Sequence, residues 1–353
     1  MSLTESLTGF WSKYWFLILL VLLIALGMGL GLSVPGVLLP LLAYLDPRVT
    51  TAVITLLMSV SLNGEKLSAS LRAPGPVLLG FTVNVLIVPL LGMVGFALQS
   101  NIDLKYGILV AASVPCTLAA ASVWTRKAGG NDAVSLLVTM TTSLVCFVTT
   151  PFWLSVPGFL AGTQFGSAEG LGAVTLSSET RVKLAVDLVF GALVPTLLGQ
   201  ALRQIPVVRH GADRKKSLLG GLAQVLILSM VLVAAVKAGA RLGEADGGSI
   251  GIKPFVAAFL SVIAIHVAAY FIGTGMSRKL KFRLEDQIAV GLAGSQKTLP
   301  TGLLIATELG RSTGMTFALF PMLMYHACQL LLDTIFVASY SRKIAAESER
   351  PSR

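Results

Sequence analysis

Lys297 stands in "GLAGSQKTLPTG", residues 291–302, deep inside an apolar stretch near the C-terminal end of the chain. Around it are a hydroxyl and amide set, Ser295, Gln296, Thr298 and Thr301, together with Pro300 and three glycines that disfavour an unbroken helix. An ammonium at the bilayer centre costs about 2.5–3.5 kcal/mol on insertion scales, so such a lysine faces a cavity or a partner. Snorkelling gives no relief: about ten helical residues, roughly 15 Å, separate it from either end of its span, and its stem reaches only about 6 Å. The chemistry on offer is electrostatic, a fixed positive charge at membrane depth.

A second stretch is built alike. "GILVAASVPCTLAAASVWTRKAGG" carries Pro115 in its middle, followed by Thr117 and Ser122. Unwound backbone at membrane depth is tolerated only where it is buried in protein or lines a watery cavity. It exposes carbonyls and hydroxyls, which suit a hard cation, and opposed helix N-termini, which suit an anion. Two proline-kinked structural helices are the plain alternative.

Other polar residues in apolar runs are fewer. Asn84, in "FTVNVLIVP", is either a helix–helix hydrogen bond or a ligand at the crossing. Ser135 and Thr139 lie four apart on one helix face and Ser143 continues the row; each is a ligand or bonds back to its own helix. His266 and His326 suit proton relay or packing. Asp187 reads as a counter-charge to a bound cation, and Asp333 as a partner of Arg342 near the cytoplasmic helix end. HExxH and GxSxG are absent, and "GSQKT" lacks the glycines of a phosphate loop, so neither an enzyme nor an organic cofactor is expected.

These residues need elements to hold them, and the composition says which. The 353 residues are 54% hydrophobic and 12% charged, far below the roughly one quarter charged of soluble domains. The pattern predicts ten spans, at about 14–34, 44–62, 76–98, 106–127, 132–157, 182–202, 218–241, 254–276, 286–307 and 314–340. The first is too long, and lacks a small-residue cleavage site, for a typical signal peptide. The net charge of +10 falls in short loops, where it acts as a topology signal and not as a nucleic-acid footprint. Most of the 27 basic residues, including Lys13, Lys66, Arg72 and the Arg203-to-Lys216 cluster, lie on one side, which puts both termini in the cytoplasm. Cys116, Cys146 and Cys328 lie in apolar segments and read as buried thiols. A Gly/Ser-rich linker, Gly162 to Ser178, divides the spans five and five, so the halves enter the membrane with opposite polarity, as in many secondary transporters. The expected units are residues 1–161, a linker over 162–181, residues 182–341 and a tail from 342 to 353. Interrupted spans four and nine then fall at equivalent places.

"VPCTLAAASVWTRKAGGNDAVS", "GSQKTLPTG" and "PMLMYHACQLLLD" together resemble the bile acid:sodium symporter superfamily, in its SBF-like branch. The resemblance spans residues 63 to about 342. It implies an all-α polytopic fold of ten transmembrane helices in two inverted five-helix repeats. Spans 1, 2, 6 and 7 form a panel, the others a core in which discontinuous helices 4 and 9 cross. It implies sodium ions behind the crossing, with Asn84, Ser122, Ser135 and Thr139 at matching ligand positions and Ser295, Gln296 and Lys297 beside them; Ala121 replaces one hydroxyl. Sodium-coupled members carry a glutamate at the position of Leu292, and no acid lies between Asp286 and Glu308 here. A buried lysine beside that gap can supply the charge of sodium, or release a proton. The sequence thus predicts a secondary active transporter of a small organic anion bound by Thr117, Ser122, Gln296, Lys297, Thr298 and Thr301. Its coupling ion is Na+, H+ or none. The branch also contains calcium-homeostasis regulators, which makes a regulatory membrane protein the alternative. The partners are the organic anion and the lipid bilayer, without nucleic acid, for a multi-pass monomer or homodimer of the plasma or inner membrane.

Overall fold

The computed structural model describes residues 3–62, 74–118, 120–161, 174–243 and 251–348, with side chains from residue 15 to residue 340. The described residues form helices and short connections, with no strand. In order they are α1 (Leu3–Ser33), α2 (Pro35–Leu42), α3 (Pro47–Val60), α4 (Pro74–Leu98), α5 (Ile102–Ser113), α6 (Ala120–Lys127) and α7 (Asp132–Ala161). There follow α8 (Ser178–Leu202), α9 (Pro206–Arg214), α10 (Lys216–Gly243), α11 (Ile252–Lys279), α12 (Leu284–Ser295), α13 (Leu299–Thr313) and α14 (Leu319–Ser348). Among these, seven elements are long and apolar enough to cross a membrane, and α2 with α3, bent by 53°, make an eighth. The chain is therefore a polytopic α-helical membrane protein. Two further pairs, α5/α6 and α12/α13, are each broken in the middle.

Local chemistry sets the helix ends. Asp46 accepts from the Arg48 N–H ahead of Pro47 at the start of α3, and Asn101 caps α5 through the Leu104 N–H. Gly314, at φ +77°, closes α13 in the left-handed region that glycine adopts freely. Beside the membrane-spanning part, Arg203 donates to Asp213 of the short helix α9 and holds its carboxyl below the usual carboxylate range.

The helices pack in two groups, one of α1, α2, α3, α8 and α10, the other of α4 to α7 and α11 to α14. In the first, small residues let backbones touch: a Cβ on Gly31 would fall 2.1 Å from the Val236 carbonyl oxygen, and one on Gly239 2.2 Å from that of Met28. Outward faces keep large apolar side chains such as Leu26, Leu98, Phe159 and Phe190 exposed, which lipid tolerates and water would not.

Both breaks lie where the sequence places them, but not all the suspected breakers act. Between α12 and α13 only Gln296, Lys297 and Thr298 leave the helix; Pro300 sits at the start of α13, where a missing N–H has no consequence. Gly291, Gly294 and Gly302 are helical. Their task is close approach: added Cβ atoms would meet Thr274, Val83 and Met322 at 2.5, 2.9 and 2.4 Å. Most of the linker, residues 162–173, lies outside the described residues, as do Lys66 and Arg72 and the side chains of Lys13 and Arg342.

Candidate functional site

The site starts from a defect in α4. Residues Val83–Ile87 form a π turn, so the Val88 N–H bonds to the Val83 carbonyl and not to that of Asn84. The residue that could next serve Asn84 is Pro89, which has no N–H. Asn84 is thus left with a free carbonyl, fully buried, next to its own amide side chain. On the facing side α5 ends at Ser113 and the chain unwinds through Pro115, which leaves the Val114 carbonyl at the negative end of a half-helix.

Lys297 fills the gap. Its Nζ donates to Asn84 O at 2.7 Å, to Val114 O at 2.9 Å and to Asn84 Oδ1 at 3.1 Å. An ammonium has three protons and no acceptor, so three oxygens saturate it, whereas an uncharged amine would turn its lone pair on one of them. The side chain is 0% exposed. The geometry is that of a small cation held by protein oxygens.

The break itself is fully partnered, as buried backbone must be. Asn84 Nδ2 donates to the carbonyls of Ala293, Gly294 and Gln296 at 2.9–3.2 Å, the loose end of α12. Thr298 N donates across to Pro115 O at 3.0 Å and ties the two breaks together. The rest comes from one stripe of α14, four residues apart. Tyr325 donates to Ser295 O (2.7 Å), and Gln329 clamps Lys297 through both its N–H (2.9 Å) and its carbonyl (3.0 Å). Asp333 accepts from Gln296 Nε2 at 2.5 Å.

Asp333 corrects an expectation. It is fully buried and bonded to His266 Nε2 at 3.1 Å as well as to Gln296, while α14 runs on to Ser348, so it sits at the crossing and not at a helix end; the side chain of Arg342, its expected partner, lies outside the described residues. His266 also reaches Ser295 O through Nδ1 at 3.3 Å. An acid from α14 thus stands at the end of α12. Asp187 is corrected too: its carboxylate lies 2.7 Å from Arg48 Nε, away from the crossing.

The other expected residues separate. Gln296, Lys297, Thr298, Thr117 and Asn84 are gathered. Thr117 Oγ1 donates to Gln296 Oε1 (3.2 Å) and accepts from the Ala121 N–H (3.0 Å), which caps α6. Thr139 donates to Thr117 O at 3.2 Å, one layer behind. Ser135 is turned to Thr125 at 2.6 Å, and Ser295 bonds back to Gly291 O at 2.8 Å. Thr301 is buried just inside α13, and Ser122 is half-buried on α6; neither side chain makes a hydrogen bond among the described residues.

A cavity of about 380 Å³ opens beside this knot, between Trp15, Phe16 and Met58 of the first helix group and Thr117, Thr298 and His326 of the second. Thr298 to Pro300 on its wall are the N-terminus of α13, which carries no side-chain cap. The positive end of that helix thus faces the cavity. At the other end of α13 the groups are joined by charges: Glu308, 2% exposed, meets Lys183 of α8 at 2.5 Å and Arg48 of α3 at 3.5 Å. The two groups are thus latched by ion pairs at that end of α13.

Comparison with known proteins bears on what such an arrangement does. A family model described as the SBF-like CPA transporter family matches residues 14–342. The chloroplastic "probable sodium/metabolite cotransporter BASS4" of Arabidopsis thaliana is 26% identical over 85% of this chain and 67% of its own length. The protein named sodium/bile acid cotransporter 7 is 22% identical in Xenopus tropicalis, over 65% of this chain and 62% of its own. Its namesake in Danio rerio is 24% identical over 66% and 64%.

Proposed function

Because this chain belongs to the SBF-like CPA transporter family, we propose that it is a secondary active transporter of a small organic anion working by alternating access. In this reading α2/α3, α5/α6 and α12/α13 are single spans, giving ten in two inverted repeats, residues 1–161 and 182–341. The group of α1, α2, α3, α8 and α10 is the panel, the other the core, and both termini are cytoplasmic. The anion binds at the 380 Å³ cavity, drawn by the uncapped N-terminus of α13 and by the fixed charge behind it. Thr117 and Thr298 on the cavity wall offer it hydrogen bonds, and Gln296 holds Thr117 from behind.

One observation carries the coupling: the Lys297 ammonium sits among three oxygens as a bound cation would. Relatives are named as sodium cotransporters, whereas here the lysine replaces sodium. Transport is then sodium-independent, linked to protons or uncoupled. Proteoliposomes holding the purified protein and offered labelled citrate, succinate, pyruvate and taurocholate test this in sodium, potassium or N-methylglucamine buffer. Uptake of the accepted anion is expected to be equal in all three and to fall about tenfold or more in Lys297→Met, which removes the positive charge behind the cavity, each tenfold being about 1.4 kcal/mol. Steep sodium dependence together with an unaffected Lys297→Met variant refutes it.

A further inference from the structure

The end of α13 far from the crossing borders a second cavity, of about 240 Å³, between α2 and α10 on one side and α13 with the start of α14 on the other. Its charged lining is Lys237 and Arg241 of α10 and Arg311 of α13, and no acidic side chain lines it. Thr307 and Thr316 add two hydroxyls, and the remaining wall is apolar, with Leu39, Ala306 and Leu319. Lys237 is half-buried, and its ammonium makes no hydrogen bond or ion pair among the described residues. Acids do act on these cations from outside the lining. Asp46 interacts electrostatically with Lys237, Asp103 with Arg241, and Glu308 lies 3.9 Å from Arg311.

Three cations converging on one cavity repel each other, and a low-dielectric wall strengthens that repulsion. A bound anion would relieve it. The apolar part of the wall favours an anion built on carbon over inorganic phosphate, and the spread of the cations over two helices favours more than one carboxylate. We propose that this cavity is an outer capture site for a small di- or tricarboxylate, separate from the crossing. It names the substrate class of the transport reading above and rests on that reading for its purpose, though not for the binding itself. Two cations lie on the panel and one on the core, so the captured anion bridges the two bodies that must part. The Glu308 carboxylate already touches Arg311 and, on its other side, Lys183 and Arg48. An arriving carboxylate competes for Arg311 and leaves Glu308 to Lys183 and Arg48, so the captured anion holds the two bodies together on that side until it moves on.

The test is thermal unfolding of the purified full chain with potassium citrate as probe, against potassium chloride and potassium phosphate at equal ionic strength. Citrate is expected to stabilise the protein saturably, since a ligand of the folded state raises apparent stability by mass action. Phosphate should do so far less. Lys237→Gln and Arg311→Gln should each weaken the citrate response about tenfold, the loss of one charge-assisted contact. Arg241→Gln serves as a further variant if either of the first two fails to fold. Absence of any citrate effect overturns the proposal. So does an effect lost in Lys297→Met and kept in Lys237→Gln, which would place the only anion site at the crossing and leave the transport reading intact. A citrate effect of the expected pattern in a protein that moves no anion would instead keep the capture site and remove the transport reading.

Discussion

Replacing Lys297 by alanine should convert a sodium-indifferent protein into one that sodium stabilises. The change removes three hydrogen bonds from a charged donor and leaves Asn84 O, Asn84 Oδ1 and Val114 O facing an empty space with no other donor shown. Each buried acceptor so orphaned costs about 1–3 kcal/mol, and relief from desolvating the ammonium offsets part of the sum. Breaking a buried charged contact from one side nets about 3–5 kcal/mol, a large share of a total stability of about 5–15 kcal/mol. The space vacated by the side chain is lined by those three oxygens, so a sodium ion can enter where the ammonium stood. At ten times its Kd the ion would return about 1.4 kcal/mol. Thermal unfolding followed by fluorescence of the 4 tryptophans, in sodium, potassium and N-methylglucamine chloride, measures both effects. The wild type should melt at one temperature in all three salts, and Lys297→Ala lower, with recovery in sodium alone. An alanine variant as stable as the wild type without sodium would refute the reasoning. So would a wild type that gains as much from sodium as the variant.

Three further outcomes follow from the same geometry. Gln329→Leu removes the clamp on Lys297 N and O and should destabilise by about 2–4 kcal/mol, two orphaned backbone groups, with faster hydrogen exchange confined to residues 296–298. Thr117→Val deletes both the α6 cap, worth about 0.5–2 kcal/mol, and the bond to Gln296; transport should drop in a protein that still folds, checked by uptake beside a melting curve. Glu308→Gln releases Lys183 and Arg48 from the core and should favour opening on the latched side, by about tenfold in population for each 1.4 kcal/mol lost. A cysteine at Leu304, buried on α13 against Gly191 of α8, would then label several-fold faster with a thiol reagent.

How much of this was legible depends on whether a feature is local. Composition and run length give a polytopic helical protein, and Pro115 and the Gln296-to-Thr298 segment mark the two breaks, because helix-breaking chemistry is written in neighbouring residues. The glycines of 291–302 mislead for the same reason: their work is packing against Thr274, Val83 and Met322, which lie at least 17 residues away in the chain or more, and no local pattern announces it. Asn84 could be suspected from its place five residues before Pro89. Its exposed carbonyl follows only once the π turn has displaced the Val88 bond.

Asp333 shows the limit most clearly. Read along the chain it is an acid near basic residues, and pairing with Arg342 is the obvious account. Read around the helix it is the last of Tyr325, Gln329 and Asp333, a polar row at a spacing of four that an apolar span has no reason to carry unless something polar faces it. What faces it is the broken backbone of residues 295–297. Asp333 and Lys297 are then parts of one arrangement around that backbone. Lys297 brings an amine and Asp333 a carboxyl group to the two sides of that break, the second through Gln296 and His266.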